Sequence, residues 1–165
     1  MLQAIEAMFH QNLWANLKLI EACEGLDDAV LDASVPGTYG SIRATLAHLV
    51  RAEAGYYGRL TGVQFDRSAW GDTPTLAQLK EAARYTGEGL LREAPRVQPS
   101  DTLSVQWEGK TNEFPASIIL VQAINHATEH RAHITTILTQ QGVTPPDLDG
   151  WSYMLAMQAG EGANV

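Results

Sequence analysis

Apolar residues recur at spacings of three and four through four long stretches of this chain, and each stretch is bounded by residues that stop helices. Over 2–24 the apolar positions Met8 or Phe9, Leu13, Leu17 and Ile20 share a face with no Gly or Pro among them, and Gly25 closes the run. The second run opens after Ser41, whose hydroxyl can accept a free first-turn amide, and places Ile42, Leu46, Leu49, Tyr56 and Leu60 on one stripe. The third covers 76–93 with Leu76, Leu79, Ala83, Leu90 and Leu91; Gly87 and Gly89 weaken it and Pro95 stops it. The fourth runs from Pro115 to Gln141 with no Gly or Pro after its first residue. Between these, 26–40 holds Asp27-Asp28, Pro36-Gly37 and Gly40 and reads as turns, and 62–75 reads as a loop. Thr102 to Trp107 alternates, Glu108-Gly109-Lys110 turns the chain, and Thr111 to Phe114 returns as a hairpin. A short last helix or turn is expected through Trp151, Tyr153 and Met154, followed by a frayed tail over 160–165. The expected fold is all-α: one domain over 1–165, a four-helix bundle with a short β-hairpin before the last long helix and a short C-terminal helix.

The fourth run carries the chemistry, in Asn125-His126-Ala127-Thr128-Glu129-His130-Arg131-Ala132-His133. At about 100° per residue, His130 lies about 40° from His126 and His133 about 20° to the other side, and Ile119 and Ile137 share that azimuth. The imidazoles therefore point where isoleucines point, toward the core. A single inward histidine is most often a hydrogen-bonded core residue. Two at i and i+4 can converge on one cation, and they are costly to bury without a partner. His126 and His133 are separated by a rise of about 10.5 Å, so a third ligand is expected from another helix. His48 is the candidate, with the small residues Ala44, Ala52 and Gly55 leaving space beside it. Glu53 also faces inward; it either orients a ligand histidine or hydrogen-bonds to a neighbouring helix.

Composition narrows the partners. With 165 residues, of which 45% are hydrophobic, one domain can bury a sizeable core, and a net charge of −8 disfavours nucleic acid and anionic membranes. The first residues lack a cationic signal start and no apolar run approaches the ~18 residues of a membrane span, so a cytoplasmic protein is expected. Cys23, the only cysteine, reads as core filler. His10 and Trp14 share a face of the first helix and read as a surface or dimer-contact pair.

Tyr39-Gly40-Ser41-Ile42-Arg43-Ala44-Thr45-Leu46-Ala47-His48-Leu49, the Asn125 to Arg131 segment, and Gly142 followed by Pro146-Asp147-Leu148-Asp149 together resemble the DinB/YfiT-like family over nearly the whole chain. The resemblance implies a four-helix bundle in which His48, His126 and His130 bind one divalent metal. The family often has Gly-Gln after the His-Arg pair, where this chain has Ala132-His133; His133 either lines the pocket as a proton carrier or replaces a hydrogen-bonding glutamine. His133 and Glu53 are the candidate catalytic residues. The resemblance also suggests a homodimer and makes a thiol-dependent S-transferase or isomerase possible, with a low-molecular-weight thiol as cosubstrate. A metal-dependent hydrolase and a non-enzymatic metal-binding stress protein are the competing readings. Imidazole ligands permit Zn, Ni, Fe or Mn, with Ni or Zn favoured by affinity order. A small-molecule substrate is expected, with Arg59 and Arg131 as candidate anchors for an anionic group, Arg131 pointing away from the histidine line.

Overall fold

The computed structural model of the chain describes residues 3–70, 72–107 and 109–160. It is an all-α bundle with a small hairpin: α1 (Ala4–Cys23), α2 (Asp28–Leu31), α3 (Ile42–Thr61), α4 (Leu76–Glu93), β1 (Thr102–Trp107), β2 (Lys110–Pro115), α5 (Ser117–Gln140) and α6 (Gly150–Gln158). The helix starts follow from the capping residues. Ser41 Oγ accepts the Ala44 amide at 3.2 Å, Thr75 and Gln78 cap α4 reciprocally, and Asp149 accepts the Ser152 amide at 2.8 Å. Gly62 ends α3 at φ 76, a left-handed conformation that glycine adopts without a Cβ penalty.

The four long helices pack as a ring in which α1 and α3 each lie against both α4 and α5. That arrangement makes α3 and α5, the helices bearing the histidine candidates, direct neighbours. The main core joins Leu13, Ile20, Ile42, Leu79, Ile134 and Ile137, all fully buried, and each such side chain contributes about 1.5–3 kcal/mol. A second cluster, with Phe9, Tyr57, Leu90 and Leu120, fills the end near the hairpin.

Gly87 and Gly89 make α4 fit. A Cβ on Gly87 would stand 2.6 Å from Leu13 Cδ1, and one on Gly89 would stand 2.5 Å from Tyr57 Cε2. The two residues that lower helix propensity are thus where side chains of α1 and α3 press against the α4 backbone.

Three expectations are corrected. The 26–40 connection contains α2, a single turn in which the Val30 and Leu31 amides donate to the Asp27 carbonyl and which buries Leu31. Arg43 of α3 donates to Asp28 at 2.7 Å and Asp32 at 2.8 Å, which ties that turn to the bundle. Lys110 pairs with Trp107 as a strand residue and does not belong to the turn. Trp14 is buried: its ring packs 5.6 Å from that of Tyr153, beside Ala156 of α6, so it covers its own C-terminal helix and offers no surface with His10. The tail beyond 160 lies outside the described residues.

Gly89→Ala is expected to destabilise by about 1–3 kcal/mol despite alanine's better helix propensity, because the Tyr57 ring must move. Gly55→Ala meets only the mobile end of Arg59 at 3.3 Å and should stabilise by about 0.5–1 kcal/mol. Urea unfolding of the two variants reads this directly, and equal shifts of the same sign would refute the packing argument.

Candidate metal centre

His48 projects from α3 toward α5, and His126 and His130 project one turn apart from α5 toward α3. Each of the three offers a ring nitrogen, and these nitrogens all lie within 4.8 Å of one another. His48 Nε2 and His126 Nε2 are 3.0 Å apart, and the ring centroids of His126 and His130 are 4.3 Å apart. His130 is buried, whereas His48 and His126 are half-buried. Nitrogens bound to one ion at about 2.1 Å lie no more than about 4.2 Å apart, so small side-chain adjustments bring this set to metal-ligand spacing.

The electrostatics suit ligation. Burial lowers His126 to about 4, with the neighbouring His130 and His48 rings adding to the effect. Burial likewise lowers His48, with the Arg51 charge next in importance, and lowers His130, with His48 and His133 next. At neutral pH the three rings are uncharged and each has a lone pair to donate. His130 Nδ1 is buried with no hydrogen-bond partner among the described residues, the condition expected of a polar atom in a site built for a ligand.

Aromatic rings enclose the cluster. Tyr39, in the loop before α3, stacks on His48 at 4.1 Å and stands edge-on to His130 at 5.1 Å, while Tyr56 stands edge-on to His126 at 5.8 Å. His133 lies one turn along α5, its ring 5.4 Å from that of His130 and its Nδ1 buried without a partner among the described residues. A cavity of about 400 Å³ opens beside His48, lined by Tyr39, Ala44, Ala47 and Arg51 among others. Of the small residues singled out in α3, Ala44 lines this cavity, whereas Gly55 sits under Arg59.

Glu53 lies elsewhere in the bundle. Its Oε2 accepts hydrogen bonds from Asn12 Nδ2 at 3.2 Å and Asn16 Nδ2 at 2.9 Å, both of α1, and Thr86 Oγ1 of α4 lies 3.0 Å from its Oε1. None of these partners is a histidine. The oxygens of the same two asparagines accept from Arg131 Nη1 at 2.7 Å each, and Arg131 Nη2 donates to Thr128. Arg131 is therefore held inside the bundle, and Arg59 is exposed at the far end of α3. Burial pushes the Glu53 carboxyl up to about 7, against the opposing pull of Thr86, Arg131 and the two asparagines.

His126 and His130 were readable from helical spacing and His48 from the family resemblance, but their surroundings were not. Tyr39 and Arg51 have no periodic signature. Asn12 and Asn16 did leave one, as a polar i, i+4 pair inside an otherwise apolar helix face.

These features define a helical bundle with a three-imidazole centre able to hold a divalent cation. The sequence matches the DinB family over residues 1–161, and the chain belongs to that family. No curated protein matches it.

Thr86 Oγ1 can give its single proton to the Ala82 carbonyl, 2.9 Å away, whenever Glu53 is protonated and donates to it, so Glu53→Gln can place its amide nitrogen on Thr86 and mimic the protonated acid. A carboxyl raised from 4.5 to about 7 favours the folded state fully below pH 4.5 and loses that contribution as pH rises through about 7. The wild type should thus lose on the order of 3 kcal/mol relative to Glu53→Gln between pH 4.5 and 8, with histidine contributions common to both proteins. Parallel stability curves from urea unfolding across that range would contradict this reading of Glu53.

Proposed function

We propose that this protein is a metal-dependent enzyme of the thiol-dependent S-transferase or isomerase type, acting on a small molecule. The observation that carries the proposal is the convergence of three imidazoles from two neighbouring helices, with a cavity large enough for a small substrate opening beside one of them, His48. A ligand set of three neutral nitrogens leaves the cation's charge uncompensated and its remaining positions open, as catalytic sites do. When bound, the ion would supply a Lewis acid able to hold a thiol as its thiolate or to lower the pKa of water. Nickel or zinc is the proposed metal, on affinity order.

The chain's own residues account for the rest. Tyr39 stacks on His48 and stands edge-on to His130, which restricts the orientation of both rings. To His133, whose ring lies 5.4 Å from that of His130 and whose buried Nδ1 has no partner among the described residues, the proposal assigns uptake of the proton that a thiol releases. Glu53 enters as a positioning residue, since its contacts are with α1 and α4. The proposed protein works in the cytoplasm as a homodimer; light scattering at twice the chain mass supports that state, and a monomer at micromolar concentration ends it. No helix among the described residues is long and apolar enough to cross a membrane.

Elemental analysis of protein loaded and dialysed is expected to give one ion per chain, with His48→Ala and His130→Ala each falling well below that. Full stoichiometry in both variants would end the proposal. On the cobalt-loaded protein, a low-molecular-weight thiol should produce a sulfur-to-metal charge-transfer band. No band with cysteine, glutathione, mycothiol or bacillithiol would favour the hydrolytic reading, and a coordinatively closed ion would favour a non-enzymatic one.

A further inference from the structure

Two arginines line the cavity beside His48, and their situations differ. The Arg43 guanidinium is committed to Asp28 and Asp32, at 2.7 and 2.8 Å, and its charge is matched there. Arg51 has no carboxylate within ion-pair distance among the described residues; its guanidinium lies over the Trp70 ring, 5.6 Å from the centroid. Trp70 is itself buried, in the short 3₁₀ turn Ser68–Trp70, so the arginine rests on a fixed platform. Arg51 is three residues beyond His48 on α3, which puts both side chains on the same side of the helix, and both line the cavity. Ser41, the N-cap of α3, also faces the cavity, and the positive end of that helix adds to the same sign of potential. The opposing group is Asp72, an exposed residue at the cavity edge.

We infer that this cavity binds a small carboxylate-bearing molecule, with Arg51 receiving its anionic group and His48 and Tyr39 flanking its other end. The inference rests on the reading of the histidine cluster as a substrate site and names the class of molecule that the site takes. A guanidinium supported from below by an aromatic ring keeps its in-plane N–H donors free, and two of them match a carboxylate's two oxygens. Tyr39 connects the two parts: it lines the cavity and its ring contacts both His48 and His130. A molecule anchored on Arg51 therefore extends toward the donor cluster. The carboxylate can belong to the thiol or to its electrophilic partner; recognition by Arg51 is the same for both.

The test compares 3-mercaptopropionate with 3-mercaptopropionamide, which differ in charge at nearly equal size, on cobalt-loaded wild type, Arg51→Met and Arg51→Lys. Wild type should bind the carboxylate at least about tenfold more tightly than the amide, as a charge-assisted contact implies. Arg51→Met should abolish that preference and Arg51→Lys should restore part of it, with cobalt stoichiometry and melting temperature close to wild type in both. A preference that survives Arg51→Met, or no preference in wild type, overturns the inference. If neither thiol binds, the transferase reading fails on its own. The subsite is then judged on metal-free protein by NMR titration of benzoate against benzamide, where an Arg51-dependent preference for benzoate supports it and equal binding overturns it.

Discussion

A chain of buried hydrogen bonds runs across the bundle from Arg131 of α5, through Asn12 and Asn16 of α1, to Glu53 of α3 and Thr86 of α4. Every long helix contributes to it. Each asparagine faces Arg131 with its oxygen and Glu53 with its amide, so two groups of opposite formal charge are joined without touching. Burying such groups unpaired would cost about 1–3 kcal/mol for each polar atom and more for the charges. Sliding α1, α3 or α5 along its axis would break two or more of these bonds together, so the network sets helix register in a way that interchangeable aliphatic contacts do not.

The histidine cluster depends on that register. His130 is the residue before Arg131 on α5, and His48 lies on α3 little more than a turn from Glu53. The pairs that fix the two helices thus sit beside the pairs that must meet. Close approach at Gly87 and Gly89 brings α4 tightly against α1 and α3, and the apolar layers above and below exclude water from the network. Around the histidines the packing loosens instead: Ala44 and Ala47 leave the cavity open, and Tyr39 is half exposed above the rings. Rigid support next to accessible donors is the arrangement that a binding site needs.

Much of this was legible in the sequence, for identifiable reasons. Helices announce themselves by periodicity and caps, and Ser41, Thr75 and Gly62 mark ends that the structure reproduces. Histidines at i and i+4 on an apolar stripe carry their own geometry, so His126 and His130 could be placed on one face before any partner was known. What periodicity cannot reveal is which helix a given face meets. Trp14 looked like surface because α6, which covers it, packs against α1 only in three dimensions. Glu53 and Arg131 stood out in the sequence as a candidate catalytic group and a candidate anchor, but the asparagines that join them lie more than 30 residues away in sequence from either. Arg51 was passed over because its meaning comes from Trp70 beneath it and His48 beside it, neither of which is visible in a helical pattern.

If α3 and α5 hold His48, His126 and His130 on one ion, X-ray absorption spectroscopy of the zinc-loaded protein should show a first shell with three imidazole nitrogens at about 2.0–2.1 Å, each with the outer-shell scattering of a ring. A first shell dominated by carboxylate oxygen, or one with fewer than three imidazoles, would contradict it.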